Sequence, residues 1–171
     1  MKLLRLLAVL VPLVLAAVVL DALLSLVVPG IRVLDPFLLV TVWFGANGRR
    51  LDGMLAGAVA GLVQDATASM VLGCFYLPKV VVGYVTMLLA GRLIPGQPTT
   101  HAILIAVGAV TEMLVVGGLG LLLGRDLLTV APLSGMISVL VNVGAGCAAY
   151  AAIERARRRR EKSMGHGLRG R

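Results

Sequence analysis

Residues 6–28 form an apolar run broken by only three residues, Pro12, Asp21 and Ser25. That is enough helix to cross a bilayer core, which takes roughly 20 residues. The run is too long for the apolar core of a cleaved signal peptide, and no A-x-A-like site followed by a soluble domain appears. It is expected to be a retained span. With Gly, Pro and charge as punctuation, further runs cover 34–46, 54–72, 75–93, 103–123 and 133–153. The second is short: about 13 residues rise only about 20 Å against a core of about 30 Å, which fits a re-entrant segment or a short helix that thins the membrane locally. Hydrophobic residues make up 59% of the 171 and charged ones 14%, the composition of an integral membrane protein. The expected fold is all-α: a compact bundle of six transmembrane helices over 1–154, then a basic tail over 155–171 without regular structure.

Charge placement sets the expected topology. With six spans, Lys2, Arg5, Arg49, Arg50, Arg92 and the eight basic residues from Arg155 onward share one side, and only Arg32, Lys79 and Arg125 lie opposite. Five spans would separate the basic N-terminus from the run Arg157, Arg158, Arg159 and Arg160, against the positive-inside rule. Both termini are therefore expected in the cytoplasm. The net charge of +8 is then a topological signal that calls for no nucleic acid. The tail also suits anionic headgroups, at about 1 kcal/mol per basic residue near the surface. Trp43 and Phe44 fall near the inner interface, and Phe75 and Tyr76 near the outer one. Cys74 and Cys147 lie at depths too different for a disulfide within one chain. Loops on the outer side are short, so work outside the membrane falls to a partner.

Against this hydrocarbon background the intramembrane polar residues are the candidate functional positions, because an ionised group in a bilayer costs several kcal/mol unless it has a specific partner. Gly53, Gly57, Gly61 and Asp65 recur every four residues, a stripe that lets another backbone approach closely, from this chain or from another. Asp65, after Gln64, is placed to cap the next helix near Gly73, or to accept from a partner or from Lys79. A pair between Lys79 and a carboxylate within the chain is the simplest account of both charges. Glu112 lies deeper, with nothing in its own helix to neutralise it, so it is protonated, paired across helices or facing water. Asn142 is a candidate hydrogen-bond partner for it. Asp21 and Ser25, one turn apart, form a weaker polar pair.

Catalytic signatures are scarce. The two histidines, His101 and His166, make no H-E-x-x-H, and no P-loop, G-x-G-x-x-G or G-x-S-x-G occurs. The chain is expected to be no enzyme and to hold no cofactor or metal.

Asp35-Pro36 opening a short second span, an Arg49-Arg50 turn, the segment Gly61-Leu62-Val63-Gln64-Asp65-Ala66-Thr67-Ala68-Ser69, then Leu72-Gly73 and Gly83-Tyr84 follow one another in order. In this order and spacing, with Glu112 and Asn142 in the last two spans, the chain resembles the rod shape-determining protein MreD family over nearly its whole length. It departs from that pattern at Cys74-Phe75-Tyr76 and Pro78-Lys79. The resemblance implies a six-helix fold like the substrate-binding subunits of energy-coupling-factor transporters. It also implies a non-enzymatic scaffold in the bacterial inner membrane. The implied partner is MreC, and through it the elongation glycosyltransferase and transpeptidase and the actin-like filament, in lateral peptidoglycan synthesis. Self-association is a further expectation. The alternative is a solute-binding subunit of such a transporter, or a small permease, with Asp65, Lys79, Glu112 and Asn142 lining a pocket. Only seven aromatic residues speak against a ring-stacking pocket.

Overall fold

The computed structural model describes residues 2–27, 34–47, 51–68, 73–94, 97–122 and 132–167. The described residues form six helices: α1 (Lys2–Val27), α2 (Pro36–Asn47), α3 (Asp52–Ala68), α4 (Tyr76–Ala90), α5 (Pro98–Leu122) and α6 (Pro132–Gly167). Among them α1, α5 and α6 contain stretches long and apolar enough to cross a membrane. The other three helices have 12, 17 and 15 residues, or about 18, 26 and 22 Å. The described residues thus form an all-helical fold of membrane type. The expected six spans are not supported: α2 is as short as its apolar run, and α4, over Tyr76–Ala90, ends before its run of 75–93 does. Residues 28–33 and 123–131, in two of the expected outer loops, lie outside the described residues, and so do Arg32, Arg49, Arg50 and Arg125.

The start of α2 and the end of α4 have local causes. Proline at the first position of α2 donates no N–H, which that position leaves unpaired anyway. Asp35 before it accepts from the N–H groups of Phe37 and Leu38 at 2.9 and 3.1 Å, which is an N-cap. α4 ends at Gly91, whose N–H closes back on Met87. α6 does not stop where the sequence turns basic at Arg155; it continues as helix to Gly167, so an irregular tail from 155 is not what forms.

α2 is the centre of the packing, against α1, α3, α4 and α5. Phe37 and Phe44, seven residues apart, face Leu10, Val14 and Ala17 of α1 and Ala56 and Ala60 of α3. Leu38 and Val42, four apart, face Val82 of α4 and Leu104, Ile105 and Ala109 of α5. A helix buried on two sides carries an apolar residue at almost every turn on both.

The stripe on α3 is an internal contact, with α4. A Cβ on Gly61 would lie 2.5 Å from Tyr76 Cα, and one on Gly53 2.8 Å from the Gly83 carbonyl oxygen and from Gly45 Cα. A Cβ on Gly57 would overlap the carbonyl of Lys79, and one on Gly83 the carbonyl of Gly53. The two main chains touch directly, as small-residue stripes in membranes allow. The Gly57 contact also fixes where Lys79 enters the bundle.

Candidate functional site: a lysine held between two carboxylates

Lys79, in the first turn of α4, is fully buried. Its Nζ lies 2.6 Å from Asp35 Oδ2 and also donates to Glu112 Oε1. The centre joins the start of α2, the start of α4 and the middle of α5. Glu112 lies ten residues before Leu122, the end of α5, or about 15 Å. The charges therefore meet well inside the apolar thickness, and α2 and α4 begin at that depth.

The surroundings satisfy Asp35 completely. Besides capping α2 through Oδ1, it accepts on Oδ2 from Gln64 Nε2 at 3.2 Å. Its own N–H donates to Asn142 Oδ1 at 2.9 Å, and Asn142 Nδ2 donates to the Ser138 carbonyl at 2.8 Å. A buried ion pair stands only when such further hydrogen bonds offset the loss of water. Acceptors outnumber donors all the same: two carboxylates face one ammonium, and Gln64 Oε1, on a residue only 4% exposed, has no donor among the described residues. The Asp35 and Glu112 side chains keep 20% and 13% of their surface exposed. The centre is thus reachable from outside the bundle.

Asp65 is elsewhere and does other work. Its Oδ2 accepts from the N–H groups of Gly73 (2.8 Å) and Tyr76 (3.2 Å), and its Oδ1 from that of Phe75 (2.8 Å). It closes the turn into α4, supplying the cap that Phe75 has no side-chain oxygen to provide. Gly73 adopts φ +107° there, a region that glycine enters without steric cost.

Of the candidate residues, Gln64, Lys79, Glu112 and Asn142 come together. Glu112 is paired across helices, as one of its three options required. Lys79 finds carboxylates, but Asp65 is not among them, and Asn142 bonds Asp35 and Ser138 where Glu112 had been expected. Ser25 Oγ donates to the Ala22 carbonyl at 2.7 Å, not to Asp21. Asp35, the residue that joins every member of the centre, was not among the candidates. Its signal was Asp-Pro at the head of an apolar run, an N-cap followed by the favoured first helical residue. Cys74 and Cys147 are both free thiols. Among the described residues no group of three His, Cys, Asp or Glu is placed to hold a metal ion.

Comparisons with protein-family models, with curated proteins and with solved structures return no match.

Proposed function

We propose that this protein is a non-enzymatic scaffold of the bacterial cell-elongation machinery, of the MreD kind. In this reading it threads the inner membrane with six helical segments, keeps both termini in the cytoplasm and binds MreC. The observation that carries the proposal is a convergence: Asp35, Gln64, Glu112 and Asn142, four positions of the resemblance, meet at one buried centre with Lys79. Both carboxylates of the centre are engaged by the Lys79 ammonium, which suits a fixed recognition surface. The surplus of acceptors at a reachable depth offers a partner's donor group a place to bind. Through MreC the scaffold would help to position the glycosyltransferase and transpeptidase of lateral wall synthesis against the actin-like filament.

The test is replacement of the resident MreD in a rod-shaped bacterium by this chain carrying an affinity tag. The expected result is recovery of rod shape and co-purification of MreC. Recovery of neither, from a chain present at normal level in the membrane, overturns the reading. A second reading, a solute-binding subunit, draws on the same exposure of Asp35 and Glu112. It expects paired ATPases in the purified complex in place of MreC.

A further inference from the structure

The buried centre carries a surplus of negative charge and a shortage of donors. Asp35 and Glu112 set two carboxylates against the single ammonium of Lys79. The side chains that meet them from α3 and α6, Gln64, Asn142 and Ser138, are neutral. One negative charge is therefore left over in an apolar place, where an uncompensated charge is costly. The hydrogen bonds are shared unevenly between the two acids. Asp35 accepts from the N–H groups of Phe37 and Leu38 on Oδ1, and from Lys79 Nζ and Gln64 Nε2 on Oδ2. Glu112 accepts only from Lys79, on Oε1, and among the described residues nothing donates to its Oε2. Donors hold a carboxyl group in its charged form. Asp35 is held so on both oxygens, Glu112 on one.

Gln64 marks the same shortage independently of charge. Its amide sits in the centre, because Nε2 bonds Asp35 Oδ2 at 3.2 Å, yet its Oε1 is sealed from the surroundings and has no donor among the described residues. Turning the amide over would set Oε1 against Oδ2, acceptor against acceptor. We infer that the centre holds one exchangeable proton, carried by Glu112. That proton cancels the surplus charge and turns Oε2 from an open acceptor into a donor, the kind of atom the centre lacks. Oε1 still accepts from Lys79, and the pair between Lys79 and Asp35 is undisturbed. A proton also needs no added space, whereas a metal ion or a partner's side chain would have to open the sealed side of Gln64. Exchange has a route, since the Glu112 side chain keeps 13% of its surface exposed. The use of the proton rests on the recognition role proposed above, its presence on the centre alone: a neutral centre lets a partner's apolar helix close over it without burying a net charge.

The experiment is infrared spectroscopy of the purified full chain in detergent at neutral pH, where ordinary carboxyl groups, with pKa values of about 4, are ionised. One carboxylic-acid C=O band per chain is expected, moving to lower frequency in heavy water. A heavy-carbon label in the side-chain carboxyl of glutamate should shift the band, and the same label in aspartate should not. Glu112→Gln should remove it. The other two glutamates of the chain, Glu154 and Glu161, are replaced together in E154Q/E161Q, which should leave it. The labels and the double variant assign the band even where Glu112→Gln folds poorly. Absence of an acid band at neutral pH overturns the inference. So does a band that labelled aspartate shifts, one that E154Q/E161Q removes, or one that heavy water leaves in place. A Glu112 band in a chain that fails to bind MreC would overturn the proposed function and leave the proton site standing.

Discussion

Asp35 and Asp65 each sit beside the start of a short helix and each accept from backbone N–H groups there. Among the described residues only Asp35 is tied to the rest of the bundle by a charge. Asp65 spends both oxygens on the turn between α3 and α4, a local closure. Asp35 spends one oxygen on its cap and the other on Lys79 and Gln64, which links α2 to α3, α4 and, through Lys79, to Glu112 on α5. The same chemical group is thus a fastener within one hairpin in the first case and a junction of four helices in the second. Burial of an aspartate does not distinguish these roles; the presence of an ammonium does.

The largest separation between the two sites should come from Lys79→Met, which leaves two carboxylates facing each other in a desolvated place. Breaking a buried pair by removing one partner costs about 3–5 kcal/mol. We expect a marked loss of folded protein in detergent, read by size-exclusion profile and thermal melting. Adding Glu112→Gln should restore part of it by removing one of the like charges. If the single variant melts as the unaltered chain does, the junction is no junction.

Next come the glycines that support each site. Gly57→Leu displaces the main chain at Lys79, and Gly61→Leu displaces it at Phe75 and Tyr76, beside the Asp65 turn. Both should lower thermal stability by more than the roughly 1–3 kcal/mol of ordinary overpacking, because backbone cannot rotate away. Leu62→Ile, on an exposed neighbour, should leave it unchanged. Equal tolerance of all three would separate α3 from α4.

The amide variants probe a smaller difference. Asp65→Asn keeps one acceptor oxygen for the turn and should be milder than Asp65→Leu. Asp35→Asn loses the ion pair as well, and should cost more than Asp65→Asn by about the 1.5–3 kcal/mol of a charge-assisted hydrogen bond. Glu112→Gln should likewise be milder than Glu112→Leu, in melting temperature and in MreC co-purification. Amide variants that still bind MreC but fail to restore rod shape would replace the scaffold reading with one in which these acids handle protons. Smallest of all, removal of residues 163–171 should leave membrane yield unchanged, since it removes no part of either aspartate site.

Much of this was legible in the sequence. Apolar runs gave the helices, the four-residue spacing of Gly53, Gly57 and Gly61 gave a close contact, and the isolation of Glu112 demanded a partner from another helix. Two things were not. Apolar runs do not mark where a helix ends: the run 75–93 reads as a span, yet α4 ends at Ala90, and a turn begins at Gly91. And pairing among Asp35, Asp65, Lys79 and Glu112 depends on which carboxylate the fold delivers to Nζ. Lys79 is nearer in sequence to Asp65, but the backbone N–H groups of the intervening turn claim Asp65 first.

The glycine contacts carry a consequence for how such a chain can drift. Opposite Gly57, Gly61 and Gly83 stands main chain, which every amino acid possesses, so no second substitution can make room for a first. Opposite Gly146 stands the tip of Ile105, which a smaller residue would retract. Over evolutionary time the first set should be frozen, each position on its own, while Gly146 and Ile105 should vary as a pair. The architecture thereby divides its glycines into those that selection can only keep and one that it can trade.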